Sequence, residues 1–106
     1  YVRNNHDGTI WHQAQAGLAG GFLFGSTQAA GAARRFNLKA QMAENRVKPA
    51  GEWNTYEITC HGSRMSLSVN GKTVNEYNEM EVRKGFIGLE AEGYRIEFRK
   101  IRVKPL

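Results

Sequence analysis

Apolar and polar residues alternate through most of the second half of the chain, as in strands with one buried face. Residues 53–61 and 64–69 both show this alternation. Between residues 64–69 and 72–77 lies the pair Asn70-Gly71. This pair predicts a two-residue hairpin turn, because a type I′ turn needs positive φ at both central positions. The pattern therefore predicts three consecutive antiparallel strands over 53–77.

The alternation continues in two further stretches, residues 85–91 and 94–98, and we expect a strand in each. The apolar phase then slips by one, because Ile101 and Val103 occupy odd positions. A β-bulge near Arg99-Lys100 would explain the slip, since one extra residue reverses the facing of every later side chain. About five antiparallel strands are thus expected in the second half.

The first half carries a weaker signal and is rich in Gly, Ala, Gln and Asn. Residues 26–35 are small and polar and are interpreted as a loop, with a short helix at Thr27–Arg34 as an alternative that Gly31 weakens. The predicted strands are residues 9–15, residues 20–25 and an edge strand at 36–42. A second layer must cover the C-terminal strands. It comes from residues 1–50, from further chain or from another subunit.

Length and composition narrow the class of protein. The 106 residues allow one domain, residues 1–106, and 41% hydrophobic with 24% charged residues is typical of a globular chain. The single Cys60 excludes an internal disulfide and a multi-cysteine zinc site. The net charge is +5, but the basic residues are scattered, and no nucleic-acid-binding motif or membrane-spanning run accompanies them.

Four ordered motifs resemble one known family. They are Lys48-Pro49-Ala50-Gly51-Glu52-Trp53-Asn54-Thr55-Tyr56, Val69-Asn70-Gly71, Gly85-Phe86-Ile87-Gly88-Leu89-Glu90 and Ile96-Glu97-Phe98-Arg99-Lys100-Ile101-Arg102-Val103. Over residues 46–104 their order and spacing are similar to the 3-keto-disaccharide hydrolases. The resemblance implies an all-β, antiparallel β-sandwich (jelly roll) of the concanavalin A-like, laminarinase-like class. It also implies an exported bacterial protein, periplasmic or extracellular, that acts on carbohydrate.

The resemblance also implies how much of the sandwich this chain contains. All-β sandwiches routinely run to about 200–250 residues, so we expect this chain to be the C-terminal portion of a larger sandwich. The family often shows Gln and an Asp-His pair where this chain has Glu90-Ala91-Glu92-Gly93, and Asn where it has Lys100. Its upstream strand with a Glu and a Gln is not recognised in this chain. Half a sandwich would expose an apolar face and open sheet edges, which favours association with further chain or another subunit.

The implied substrate is a sugar oxidised at C3, which defines the groups a site would need. The ketone acidifies the C2 hydrogen, so a base can remove it, the C1 substituent can leave, and water can add. Glu90 and Glu92 lie two apart in a predicted strand and are candidates for an acid–base pair, or for two solvated carboxylates. Glu97 and Arg99 share a face, as a site carboxylate with its orienting arginine or as a simple ion pair.

Aromatic and polar residues are candidates for binding the sugar. Trp11 and Tyr94 could stack on a sugar face, with His12 and Gln13 beside Trp11 as polar contacts. Trp53 is interpreted as structural, and Phe22 and Phe24 as core residues. A divalent metal could polarise the ketone, but the spacing of the His6, Asp7 and His12 cluster fits no standard zinc motif. The alternative to an enzyme is a non-catalytic carbohydrate-binding or adhesion module on the same fold.

Overall fold

A computed structural model describes residues 1–29, 31–81 and 84–106. It confirms the all-β class: antiparallel strands form two three-stranded sheets that resemble a sandwich. In the described part of the chain no helix is long and apolar enough to cross a membrane. The elements are β1 (Trp11–Ala14), β2 (Leu23–Ala29), β3 (Ala32–Asn37), a 3₁₀ turn (Lys39–Gln41), β4 (Tyr56–His61), β5 (Arg64–Val69) and β6 (Lys72–Tyr77).

The N-terminal sheet has the order β1-β2-β3, and it corrects two predictions. The expected loop at 26–35 and its alternative helix are wrong, because β2 continues to Ala29 and β3 begins at Ala32. Gly31 has a φ of 81°, a left-handed conformation that suits a tight turn and not a helix interior. The predicted edge strand 36–42 ends early, where the Asn37 side-chain oxygen accepts a hydrogen bond from the Lys39 NH (3.0 Å).

The C-terminal sheet has the order β4-β5-β6 and confirms the three strands predicted over 53–77. Asn70 and Gly71 have φ values of 51° and 85°, the positive values that the predicted turn requires. The alternating apolar residues of β5 are fully buried, as expected for strands with one core face. The buried core comprises Leu23, Met65, Leu67, Val69, Val74, Tyr77 and Met80.

Residues 1–50 supply the layer that covers the C-terminal sheet. The buried Asn75 of β6 joins the sheets: its Oδ1 accepts from the Leu23 NH (2.9 Å), and its Nδ2 donates to the Leu38 carbonyl (3.2 Å). Beside this link the Phe36 and Tyr77 rings stack, with centroids 3.8 Å apart. The first of the three sources considered for the second layer is therefore the one observed.

The segment after Tyr77 differs from its prediction. Among the residues described there, no strand forms at 85–91 or 94–98, and the predicted bulge has no strand to interrupt. Phe86 forms one isolated antiparallel bridge with Asn4 near the start of the chain. Ile87, Leu89 and Tyr94 are exposed. Alternation shows which side chains could share a buried face, but a strand also needs a neighbour along its length. Among the described residues, this segment pairs with other main chain only over a short stretch, Phe86 with Asn4 and Gly88 with Tyr1.

Candidate functional site

The two faces of the N-terminal sheet have different roles. Side chains alternate between faces along a strand, and cross-strand partners share a face. The inner face, carrying His12, Leu23, Thr27 and Phe36, is turned toward the C-terminal sheet. The register gives the outer face two rows, Trp11–Ser26–Arg35 and Gln13–Phe24–Asn37. The outer face thus combines aromatic and hydrogen-bonding side chains, of which Gln13 and Ser26 are buried.

Four rings make consecutive contacts on this face, and we term them the aromatic row: Tyr1, Trp11, Phe24 and Phe22. Tyr1 meets Trp11 edge-on with centroids 6.2 Å apart, and Trp11 meets Phe24 at 5.2 Å and 82°. Phe24 meets Phe22 at 5.7 Å. Edge-to-face geometry is favourable between rings and fixes their orientation.

A shallow depression of about 270 Å³ lies beside the aromatic row. A Cβ on Gly25 would collide with the Trp11 carbonyl oxygen and lie 3.1 Å from the Phe36 ring, so glycine permits the close approach of β1 and β2. Next to the row, the Gln13 amide donates to the Gln15 side-chain oxygen (3.0 Å). The depression is lined by Trp11, Phe24, Gly25, Arg35, Phe36 and Asn37.

One predicted catalytic carboxylate contacts the aromatic row. The Tyr1 hydroxyl donates a hydrogen bond to Glu90, and the Gly88 NH donates to the Tyr1 carbonyl (3.2 Å). Burial, the hydrogen bond to Glu90 and the charges of Glu90 and Glu92 raise the pKa of Tyr1 to about 12. Tyr1 is therefore a neutral donor at ordinary pH and holds Glu90 at the end of the row.

The other residues predicted for catalysis or stacking lie elsewhere. Glu97 pairs with Arg95 (3.0 Å), not with Arg99. The Arg99 guanidinium lies over the Trp53 ring, 3.8 Å from its centroid. Tyr94 is 87% exposed. Trp11 and Glu90 are thus connected through Tyr1. Gln13 shares the outer face but is buried, and Glu97, Arg99 and Tyr94 do not contact the aromatic row.

His12 lies on the inner face and is fully buried. Its Nδ1 is 3.1 Å from the Val2 carbonyl, which can only accept, so Nδ1 carries the proton. Its Nε2 then accepts from the Thr27 hydroxyl (3.1 Å), and the same oxygen accepts from the Glu81 NH (2.8 Å). His12 therefore connects β1 to β2 on the inner face of the sheet, and its side chain does not reach the outer face.

The N-terminal His and Asp residues do not gather into a metal site. Asp7 accepts hydrogen bonds from the Thr9 hydroxyl (2.7 Å) and NH (2.9 Å), which lower the pKa of Asp7. The His6 ring packs against Phe86 at 5.2 Å. Among the residues that the structure describes, no group of three or more His, Cys, Asp or Glu side chains could hold a metal ion.

Sequence reasoning missed three members of this site: Tyr1, Phe24 and Arg35. Phe24 was assigned to the core, although its position between Leu23 and Gly25 places it on the opposite face from both. The alternation of side chains along the strand was the signal in the sequence that could have placed Phe24 on the outer face. The sequence carries no such signal for Tyr1 or Arg35, because their positions in the site depend on contacts with residues distant in sequence.

Comparison with models of known protein families gives a match over most of the chain. The model of the 3-keto-alpha-glucoside-1,2-lyase-like domain family matches residues 2–104. This match extends the similarity found at 46–104 to the N-terminal sheet and its outer face. No curated protein and no solved structure gives a significant match to the chain.

Proposed function

We propose that this chain, which belongs to the 3-keto-alpha-glucoside-1,2-lyase-like domain family, binds a 3-keto-glycoside on the aromatic row and cleaves its glycosidic bond. The observation that carries the proposal is the continuous contact from Trp11 through Tyr1 to Glu90. It places a carboxylate at the end of a surface suited to a sugar ring.

The aromatic row supplies binding and orientation. The C–H groups of a pyranose face pack against an aromatic ring, and Trp11 offers the largest ring of the row. Gln13 and Asn37 flank the row in one cross-strand line. The exposed Asn37 amide is a donor of the kind that holds sugar hydroxyls or polarises a ketone. The Gln13 amide is buried and donates to Gln15.

Glu90 is the proposed general base. A ketone at C3 acidifies the hydrogen on C2, and the Glu90 carboxylate takes that proton. The electrons form a C1–C2 double bond as the glycosidic C1–O bond breaks. The departing oxygen takes a proton from solvent and leaves as an alcohol, and Glu90 gives the proton it has taken back to solvent. Water adding across the double bond completes a net hydrolysis. The bond-breaking step is a 1,2-elimination, because the leaving group departs from C1 and the hydrogen from C2, and this agrees with the positions 1 and 2 in the family's description.

Release of the alcohol from a chromogenic 3-keto-glucoside tests this assignment. We expect Glu90→Gln to lower kcat by about 10²–10⁴-fold, the usual contribution of a general base, while KM changes little. Glu97→Gln is the matched control, because Glu97 pairs with Arg95 and not with the row. Equal turnover by Glu90→Gln and the parent chain would remove Glu90 from the mechanism.

A non-catalytic carbohydrate-binding module is the second candidate. The observation in its favour is that Glu97 and Arg99, two of the four predicted catalytic residues, are held at other contacts. Such a module would bind sugar without turnover and weaken on Trp11→Ala. Turnover that depends on Glu90 decides for the enzyme, and Trp11-dependent binding without turnover decides for the module.

A further inference from the structure

Arg35 differs from the arginines around it in having no partner among the residues that the structure describes. Its neighbour Arg34 pairs with Glu79 (2.6 Å), and Arg46 pairs with Glu44 (2.9 Å). Arg99 is covered by the Trp53 ring. Within residues 1–29, 31–81 and 84–106, Arg35 forms no ion pair, side-chain hydrogen bond or ring contact. Its positive charge is therefore available to a ligand.

The surroundings of Arg35 favour an anion. Arg35 lines the depression beside the aromatic row, and no described residue lining that depression is acidic. A free guanidinium there is not neutralised locally, and its planar fork matches a carboxylate with two parallel hydrogen bonds.

The register places Arg35 at a suitable distance from the stacking ring. Trp11, Ser26 and Arg35 form one line across three strands. Neighbouring strands lie about 4.8 Å apart, so the main chains at Trp11 and Arg35 are separated by roughly 10 Å. A pyranose stacked on Trp11 would direct a ring substituent toward the Arg35 side chain.

We propose that the sugar recognised on this surface carries a carboxylate, as a hexuronic acid does, and that Arg35 binds that carboxylate. The inference rests on the proposed function, because it needs the aromatic row to bind a sugar. It goes further by assigning a charge to the ligand and a specificity-determining role to Arg35.

Paired ligands test the inference. Dissociation constants are measured by calorimetry for the methyl glycosides of glucuronic acid and glucose, which differ by a carboxylate in place of a hydroxymethyl group. We expect the glucuronide to bind about fivefold more tightly, which corresponds to about 1 kcal/mol. Added salt should reduce this preference, since the pair is exposed.

Arg35→Gln should abolish the preference, because the affinity for the glucuronide should fall by more than the affinity for the glucoside. Arg34→Gln is the matched control and should keep the preference, because Arg34 is already paired with Glu79. Equal affinity of the parent chain for both glycosides, or a preference that survives Arg35→Gln, would overturn the inference and leave the sugar surface standing. Binding of neither glycoside would overturn the inference, and turnover of the chromogenic 3-keto-glucoside would then decide separately whether the sugar surface stands.

Discussion

Replacing Thr27 by Val should be among the most destabilising single changes that preserve side-chain volume. The Thr27 hydroxyl is fully buried and serves two groups: it donates to His12 Nε2 (3.1 Å) and accepts from the Glu81 NH (2.8 Å). Valine keeps the shape and removes both hydrogen bonds. Each hydrogen bond lost by a buried polar group costs about 1–3 kcal/mol, so we expect a loss of about 2–4 kcal/mol in the free energy of unfolding.

The matched control is Thr27→Ser, which keeps the hydroxyl and removes one methyl group. Its expected cost is about 1 kcal/mol. Urea unfolding followed by tryptophan fluorescence measures both variants. With a slope of about 1–2 kcal/mol/M, a loss of 3 kcal/mol lowers the midpoint by about 1.5–3 M.

Comparing Thr27→Val with Thr27→Ser also shows which result would contradict this reasoning. If Thr27→Val costs no more than Thr27→Ser, the hydroxyl does not support His12 and Glu81 as described. The double variant His12→Phe/Thr27→Val gives a second check. Its cost should be less than the sum of the single costs by about 1 kcal/mol or more, because an apolar pair leaves fewer polar groups unpartnered.

Two further predictions concern the outer face. Gly25→Ala should lower the free energy of unfolding by about 1–3 kcal/mol, because its Cβ would force β1 away from β2; an unchanged urea midpoint would contradict the close approach. Glu90→Gln should lower the pKa of Tyr1 from about 12, since it removes a charge and a hydrogen-bonded carboxylate that both raise it. Titration of phenolate absorbance at 295 nm measures this, with Glu97→Gln as the variant that should leave the curve in place.

Tyr1 also makes the free energy of unfolding depend on pH in alkaline solution. Folding raises the pKa of Tyr1 above its unfolded value near 10, so the folded chain holds this proton more tightly. The contribution of Tyr1 is complete below about pH 10 and is lost as the pH rises to about 12. Tyr1→Phe should make unfolding less sensitive to pH in that window.

The strands that were predicted correctly are those whose information is local. The sequence between 53 and 77 contains both the alternation and the turn pair Asn70-Gly71, and the hairpin needs nothing distant. The β2–β3 hairpin was missed because Ser, Thr, Gln and Ala carry little periodic contrast. What holds it in place includes Asn75, whose side chain binds main-chain groups of residues 23 and 38.

In the candidate site, too, local features were predictable and contacts between distant residues were not. Trp11 and Gln13 were placed correctly on one face, because parity within a strand is a local property. The contact of Tyr1 with Glu90 joins residues 89 positions apart, and the line from Trp11 to Arg35 needs the register of three strands. No local pattern encodes either, so the sequence indicates Glu90 as a candidate base but does not indicate its contact with Tyr1.

The structure separates what holds β1 and β2 together from what they present to a ligand. His12 and Thr27 connect the strands on the inner face, and Trp11 and Phe24 stand on the outer face of the same strands. Side chains on opposite faces share only the main chain, so Thr27→Ser should weaken folding without changing the choice between glucuronide and glucoside. Arg35→Gln should do the reverse. If both variants changed both properties, the surface would depend on the core beneath it, and the proposed specificity of Arg35 would have to be measured against that coupling.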